Sequence, residues 1–424
     1  MKVAAGGIAR QWLVLLPLLL VPLLLPIGRA SELGILAGVL AGLWVAWRHR
    51  TQVTGMASVR VLALLFACYA GAALISLPDA LNPGKSWTTF AGLWRFLPFG
   101  MYTCWVLRQR QHIGVVYRVL AVLAILWALD AWVQIFTGWS LGGAADPLRI
   151  SGVFGADNLK LGPMLALLSP FLLWLACRHW GWRGVAAGFV LLLGPIIMAG
   201  ARQAWIEFGL VGLAFAWQLG RTPAQRLAWL GSAAVLALAV MVAAFYQSPG
   251  FAQRIERSAQ ALYGNEHGLD WALSGRLAIW GTAGRMIAAH PVNGVGVRDF
   301  RYAYPRYAHA DDPFIAGESC GPGEGACHPH QWVLEVATGT GLLGLLLWLI
   351  GIAVALRAWW QANAPARQRA WPLSLALGVA LFPLNTHLAF YSAWWGLVFW
   401  WLLALWCAAL LADDDELESR DAPA

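Results

Sequence analysis

Long apolar runs alternate with short polar connections along nearly the whole chain. They fall near 11–27, 31–47, 59–77, 87–107, 113–137, 159–177, 182–200, 203–219, 225–246, 331–357, 370–389 and 392–411. Crossing a bilayer core takes about 20 mainly apolar residues, so the pattern predicts twelve membrane-spanning helices. Backbone polar groups in lipid must be satisfied within their own segment, which makes each run a helix. A barrel would need alternating polarity, and runs such as Leu13-Val14-Leu15-Leu16 have none. The first run has no small-residue cleavage site and leads at once into a second, so it reads as a retained helix.

One stretch interrupts the pattern. Residues 247–330 are polar and hold seven Arg and five of the nine His. They divide the chain into helices one to nine over 1–246, this large loop, helices ten to twelve over 331–411, and an acidic tail over 412–424. Within the loop, residues 250–262 read as an amphipathic surface helix. Residues 274–289 place Leu277, Ile279, Trp280, Met286 and Ile287 near helical spacing, with Ser274 as N-cap. His290-Pro291 ends that helix, because the residue before a proline avoids helical backbone. Asn293-Gly294-Val295-Gly296 reads as a turn, Phe300, Tyr302, Tyr304 and Tyr307 as an aromatic stretch, and 317–325 as a Gly-rich loop.

Composition agrees with a polytopic membrane protein. Of the 424 residues, 60% are hydrophobic and 12% charged, against about 25% charged in soluble domains. The net charge of +8 is not a nucleic-acid signal, because the basic residues sit in short clusters between apolar runs. With the N-terminus inside, the inner connections carry Lys2, Arg10, Arg48, Arg50, Arg60, Arg108, Arg110, Arg118, Arg178, Arg183, Arg221, Arg226, Arg357, Arg367, Arg369 and Arg420. The short outer connections carry only Arg29, Lys85, Arg149, Lys160 and Arg202. This asymmetry follows the positive-inside rule and puts the long loop outside the cytoplasm. Asp413-Asp414-Asp415-Glu416 then reads as a solvated acidic end inside.

Cys68, Cys104, Cys177 and Cys407 lie in or beside spans and read as small buried hydrophobes. Cys320 and Cys327 lie in the outer loop, with Gly321, Gly323 and Gly325 between them. An oxidising compartment favours a disulfide. A zinc site with His328 and His330 is the alternative, though the spacing matches no common ligand pattern.

Several residues can carry chemistry. His330 sits where the loop re-enters the membrane. An imidazole accepts a proton near neutral pH, and a structural cap is the competing role. His328 is the rival base. Glu335 can orient His330 or be satisfied by a helix neighbour. Arg202, in Gly200-Ala201-Arg202, either snorkels to headgroups or grips a diphosphate with its planar fork. Arg276 opens a helix, whose N-terminus also attracts anions. Arg298 and Arg301 flank Asp299 and can pair with it. Lys85, Arg95 and Lys160 form a possible second cationic rim, and Arg95 lies within a span, where a charge is costly. Asp311-Asp312 reads as a solvated turn. No Gly-rich nucleotide loop and no spaced acidic pair occurs in the first outer connections. The residues thus point to arginines, without metal or other cofactor, stabilising a diphosphate. A transporter would show paired halves or midplane polar sites; here polar residues gather in one loop, which favours an enzyme.

Four pieces carry a family resemblance: Gly200-Ala201-Arg202; Ser274-Gly275-Arg276 with Trp280; His290-Pro291-Val292-Asn293-Gly294-Val295-Gly296; and His330-Gln331 leading to Gly339-Thr340-Gly341-Leu342-Leu343-Gly344. In their order and topology the chain resembles the O-antigen ligases, relatives of the O-antigen polymerases and bacterial protein O-glycosyltransferases. Gln331 departs from the pattern, where Asn commonly follows the His. The resemblance implies an all-α, GT-C-like bundle of the bacterial inner membrane with one large periplasmic loop. It implies a glycan donor on undecaprenyl diphosphate, a lipid A–core hydroxyl as acceptor, and no metal requirement. His330, Arg202 and Arg276 would be catalytic, and Lys85, Arg95, Lys160, Arg298, Arg301 and His328 would line the substrates. A polymerase or protein glycosyltransferase would differ only in acceptor.

Overall fold

The computed structural model describes residues 2–146, 148–156, 158–263, 266–316, 320–383 and 389–421. Residues 384–388 of the run at 370–389, and 317–319 of the Gly-rich stretch, lie outside the described residues. The chain is a bundle of helices. The only strands among the described residues are Trp139–Ser140 and Gly143–Ala144, a small antiparallel hairpin in the connection after helix Arg110–Thr137.

Among the described residues, six helices are long and apolar enough to cross a membrane: Ala57–Ile75, Arg110–Thr137, Leu161–Met198, Pro223–Gln247, Trp332–Gln361 and Ala393–Asp415. The last is the axis of the bundle. Its Trp400, Trp401, Leu402 and Cys407 are buried on all sides, and it packs on Ala364–Ala380, Phe96–Leu107 and Ala57–Ile75. Trp401 donates its indole N–H to Leu18 O at 3.0 Å, so its polar atom is satisfied inside the core. The surrounding helices are apolar on their outer faces too, with Leu40 71% and Val235 68% exposed. Such a rim would be an aggregation hazard in water and is neutral against lipid. The chain is therefore a multi-pass membrane protein.

Within Leu161–Met198 the chain reverses at Gly181, which has φ 56° and ψ −139°. Gly184 then packs on Ala176 and Gly188 on Leu173, so the two halves run antiparallel. The run at 87–107 is not one helix but two, Pro83–Leu93 and Phe96–Leu107. Pro98 explains the break: its ring clashes with the carbonyl four residues back, at Trp94. Arg95 at the break hydrogen-bonds to Gly92 O and pairs with Glu32 at 3.2 Å.

The two ends of the bundle are built differently. At one end, Asp413 pairs with Arg110 at 3.0 Å and Arg369 at 2.9 Å. Asp415 is buried and accepts from Ser58 N–H at 3.0 Å and Ser58 Oγ at 2.5 Å. Asp413 and Asp415 are therefore not solvated acids. Asp415 caps the start of helix Ala57–Ile75 from another helix, meeting donors that Met56 cannot satisfy. At the opposite end, Val297 N–H donates to Ser76 Oγ, Leu81 N–H to Val295 O, and Asn82 N–H to Asp299 Oδ2. The connection after Ile75 and the long loop thus share one end of the bundle.

Candidate active site

The loop is anchored through an exchange of backbone hydrogen bonds. Helix Trp332–Gln361 is broken at Gly341, with φ 69° and ψ −173°. Leu342 N–H donates to Pro291 O at 2.8 Å, and Leu343 N–H to Val292 O at 3.2 Å. Two helix carbonyls are thereby released, and Thr338 O and Gly339 O accept from Val295 N–H and Gly296 N–H. A kink in lipid is tolerated only if the freed groups find partners. The run at 290–296 supplies them, and it fits closely because Gly294 lies against Thr338 and Gly339.

This anchor sets the helix entry. Gln331 Oε1 accepts from Leu334 N–H at 2.6 Å, so Gln331 is the N-cap. His330 before it adopts φ 55°. Its N–H donates to His328 Nδ1 at 3.2 Å, and the two rings lie 4.0 Å apart. With Nδ1 accepting, the neutral His328 ring carries its proton on Nε2. Between them Pro329 O accepts from Trp280 Nε1 at 2.9 Å. Trp280 lies one turn from Arg276 on helix Arg276–Ala289, so the two share a face. Cys320 and Cys327, whose Cα atoms are 5.2 Å apart, are joined by a disulfide just upstream.

Arginines gather on the other side of that helix start. Arg202 donates to Ser258 Oγ at 2.8 Å, Ala272 O at 2.6 Å and Ser274 Oγ at 3.0 Å. It ties three points of the loop to the start of helix Arg202–Leu219. Ser274 is not the N-cap: it has φ 61°, Gly275 holds the cap position, and Asp270 Oδ1 meets Leu277 N–H at 2.9 Å. An acidic side chain thus already faces that helix N-terminus. Burial and the neighbouring Arg202 charge push Arg276 down to about 10. Arg276 forms no ion pair or hydrogen bond among the described residues.

A second group surrounds Asp299. Arg298 and Arg301 do not pair with it. Arg298 lies 3.9 Å from Glu335, and Arg301 lies 3.5 Å from Glu324. Asp299 instead accepts from Asn82 N–H at 2.7 Å, and its Oδ1 is buried without a partner. Burial pushes its carboxyl up to about 6, despite the Asn82 hydrogen bond and nearby Lys85. Burial also lowers Arg298, while Glu335 acts in the opposite sense. Glu335 is held by Arg298 and by Phe390 N–H at 3.0 Å, not by a neighbour on its own helix. Asp312 is buried rather than solvated, accepting from Tyr304 Oη at 2.8 Å.

The structure therefore brings His328, His330, Trp280 and Arg276 to one region, with Arg202 beside Arg276. Lys85, Arg298 and Arg301 form a separate group. Arg95 is neutralised by Glu32, and Lys160 lies 4.4 Å over the Trp394 ring. Sequence reasoning missed Arg254 and Arg257. Their charges bear on Arg202, and the Arg254 guanidinium lies against Gly200. Their spacing of three on helix Pro249–Ala259 was the available signal.

Residues 187–349 match the family model described as O-antigen ligase, a stretch that carries Arg202, Arg276, Trp280, His330 and the kinked helix. No curated protein matches the chain. Through that stretch this membrane-spanning chain is similar to the O-antigen ligase family.

Proposed function

We propose that the protein transfers a glycan from undecaprenyl diphosphate to a hydroxyl of lipid A–core oligosaccharide, completing lipopolysaccharide on the periplasmic face of the inner membrane. The observation that carries the reading is Arg276. It is a half-buried guanidinium without a counter-ion among the described residues, beside a second arginine and one helical turn from the residue that holds the histidine turn.

In this mechanism Arg276 binds the donor diphosphate through its planar fork. Arg202 is already committed to the loop, so it positions Ser274-Gly275-Arg276 and adds charge. His330 takes the proton of the acceptor hydroxyl. The freed oxygen attacks the anomeric carbon, the bond from that carbon to the diphosphate oxygen breaks, and the leaving group departs with the electron pair. One displacement inverts the anomeric centre. The arginines stabilise the growing charge on the leaving group, and the chemistry needs no metal ion. His328, with Nδ1 held by a backbone N–H, serves as a donor at the edge of the site. Twelve spans in a GT-C-like bundle, with the loop in the periplasm, fit both lipid-borne substrates.

A polymerase or protein O-glycosyltransferase would use the same donor. The test is purified protein with a lipid-linked glycan and two acceptors, lipid A–core and a peptide. Glycosylated lipid A–core is the expected product. Transfer only to the peptide, or to a second lipid-linked glycan, would replace the acceptor assignment.

A further inference from the structure

Next to the Arg202 knot, a cleft of about 420 Å³ opens between helix Pro249–Ala259 and Trp271. That volume lies within the range of ligand sites, roughly 300–1,000 Å³. Gln253, Glu256, Arg257 and Gln260 line it opposite Trp271. Arg257 sits 4.5 Å over the Trp271 ring, yet Trp271 stays 53% exposed. Arg254 stiffens the base by donating to Leu148 O and Gly250 O, both at 2.8 Å. The cleft is thus preorganised, which lowers the ordering cost of binding.

The lining selects a ligand class. Two amides donate and accept, Glu256 accepts, and Arg257 donates in a planar fork. One large aromatic plate offers apolar contact with a polar edge. A lipid tail would leave these charges desolvated and unpaired. A dense polyanion would meet Glu256. A pyranose has an apolar C–H face and a rim of hydroxyls that each donate and accept, and it matches both halves of the cleft. Ser258, adjacent to Arg257, is bonded to Arg202, so the cleft adjoins the proposed diphosphate site.

We propose that this cleft is a saccharide subsite, holding a sugar ring of either the transferred glycan or the acceptor oligosaccharide. The assignment rests on the glycosyl transfer proposed above. It gives the enzyme a grip on the sugar chain beyond the reacting unit.

The test uses full-length protein in nanodiscs and two donors, undecaprenyl diphosphate bearing one N-acetylglucosamine or a pentasaccharide. If the donor glycan occupies the cleft, Trp271→Ala should erase about a tenfold KM preference for the long donor. If the acceptor occupies it, the lipid A–core KM should rise by a similar factor and the donor ratio should hold. Trp271→Phe should keep most of the effect, and Gln260→Ala should reproduce part of it in a fold-neutral setting. Unchanged KM values for all substrates in Trp271→Ala and Gln260→Ala would overturn the subsite. Should wild type transfer neither donor, the transfer reading fails separately. The cleft is then judged by saturation-transfer NMR with the free pentasaccharide, where wild type must give a signal that Trp271→Ala loses; absence of signal from wild type overturns it.

Discussion

Trp280 donates its indole N–H to the carbonyl of Pro329 across 2.9 Å. That bond joins the helix carrying Arg276 to the turn carrying both histidines. Trp280→Phe keeps the ring and removes the donor. A single hydrogen bond contributes about 1 kcal/mol, but misplacing reacting groups by an ångström costs more, so kcat should fall about 10- to 100-fold. Transfer rates in the purified variant check this, and a wild-type kcat would show that the bond does not set the geometry.

His330→Ala should lower transfer by 10²- to 10⁴-fold, roughly the contribution of a general base. His328→Ala should cost much less, because its Nδ1 is held by His330 N–H. Both are read from product formation, with circular dichroism and detergent-solubilised yield as folding controls. Equal losses in the two variants would remove the distinction between base and donor.

The two arginines should separate by phenotype. Arg276→Lys keeps the charge and loses the fork, and transfer should fall at least about tenfold. Arg202→Lys loses the contacts to Ser258, Ala272 and Ser274, so it should also make the loop more susceptible to limited proteolysis. If Arg276→Lys turns over normally, the diphosphate must be held elsewhere.

Transfer should persist in EDTA. The expectation rests on two guanidiniums meeting the charge of the leaving diphosphate. Loss of activity on chelation, restored by a specific divalent ion, would contradict it.

Asp299 gives a pH dependence. Its folded carboxyl titrates near 6 against a reference of 3.8. The folded state binds the proton more tightly between those values, so this group lowers stability as pH rises through that window. Asp299→Asn removes the buried charge and keeps an acceptor for Asn82 N–H. The variant should show a flatter Tm profile from pH 4 to 6.5 and no loss at pH 7.5. A parallel profile would mean that Asp299 is not the titrating group.

Much of the architecture is legible in the sequence because membrane helices are written in composition. The runs near 59–77, 113–137 and 331–357 need no tertiary information to be seen. The run at 87–107 was read as one helix, and its split at Trp94 was missed although Pro98 lies within it. Asp413 and Asp415 were misread as solvated because their partners, Arg110, Arg369 and Ser58, are distant in sequence and meet them only through packing. The same limit hid the arginine cluster: Arg254 and Arg257 look like one face of a surface helix until Gly200 and Arg202 fold against them. Backbone conformation was the third blind spot. Among the described residues, the non-glycine residues with positive φ are Ser274, Arg298 and His330. All three lie in the loop beside candidate groups, where stored strain tends to gather, and side-chain chemistry gave no hint of it.

The swapped bonds at Gly341 have a mechanical consequence. The start of helix Trp332–Gln361 and the run at 290–296 share hydrogen bonds that neither can satisfy alone, so they move together. Rocking of that helix would be delivered through these bonds to the loop that carries the histidine turn.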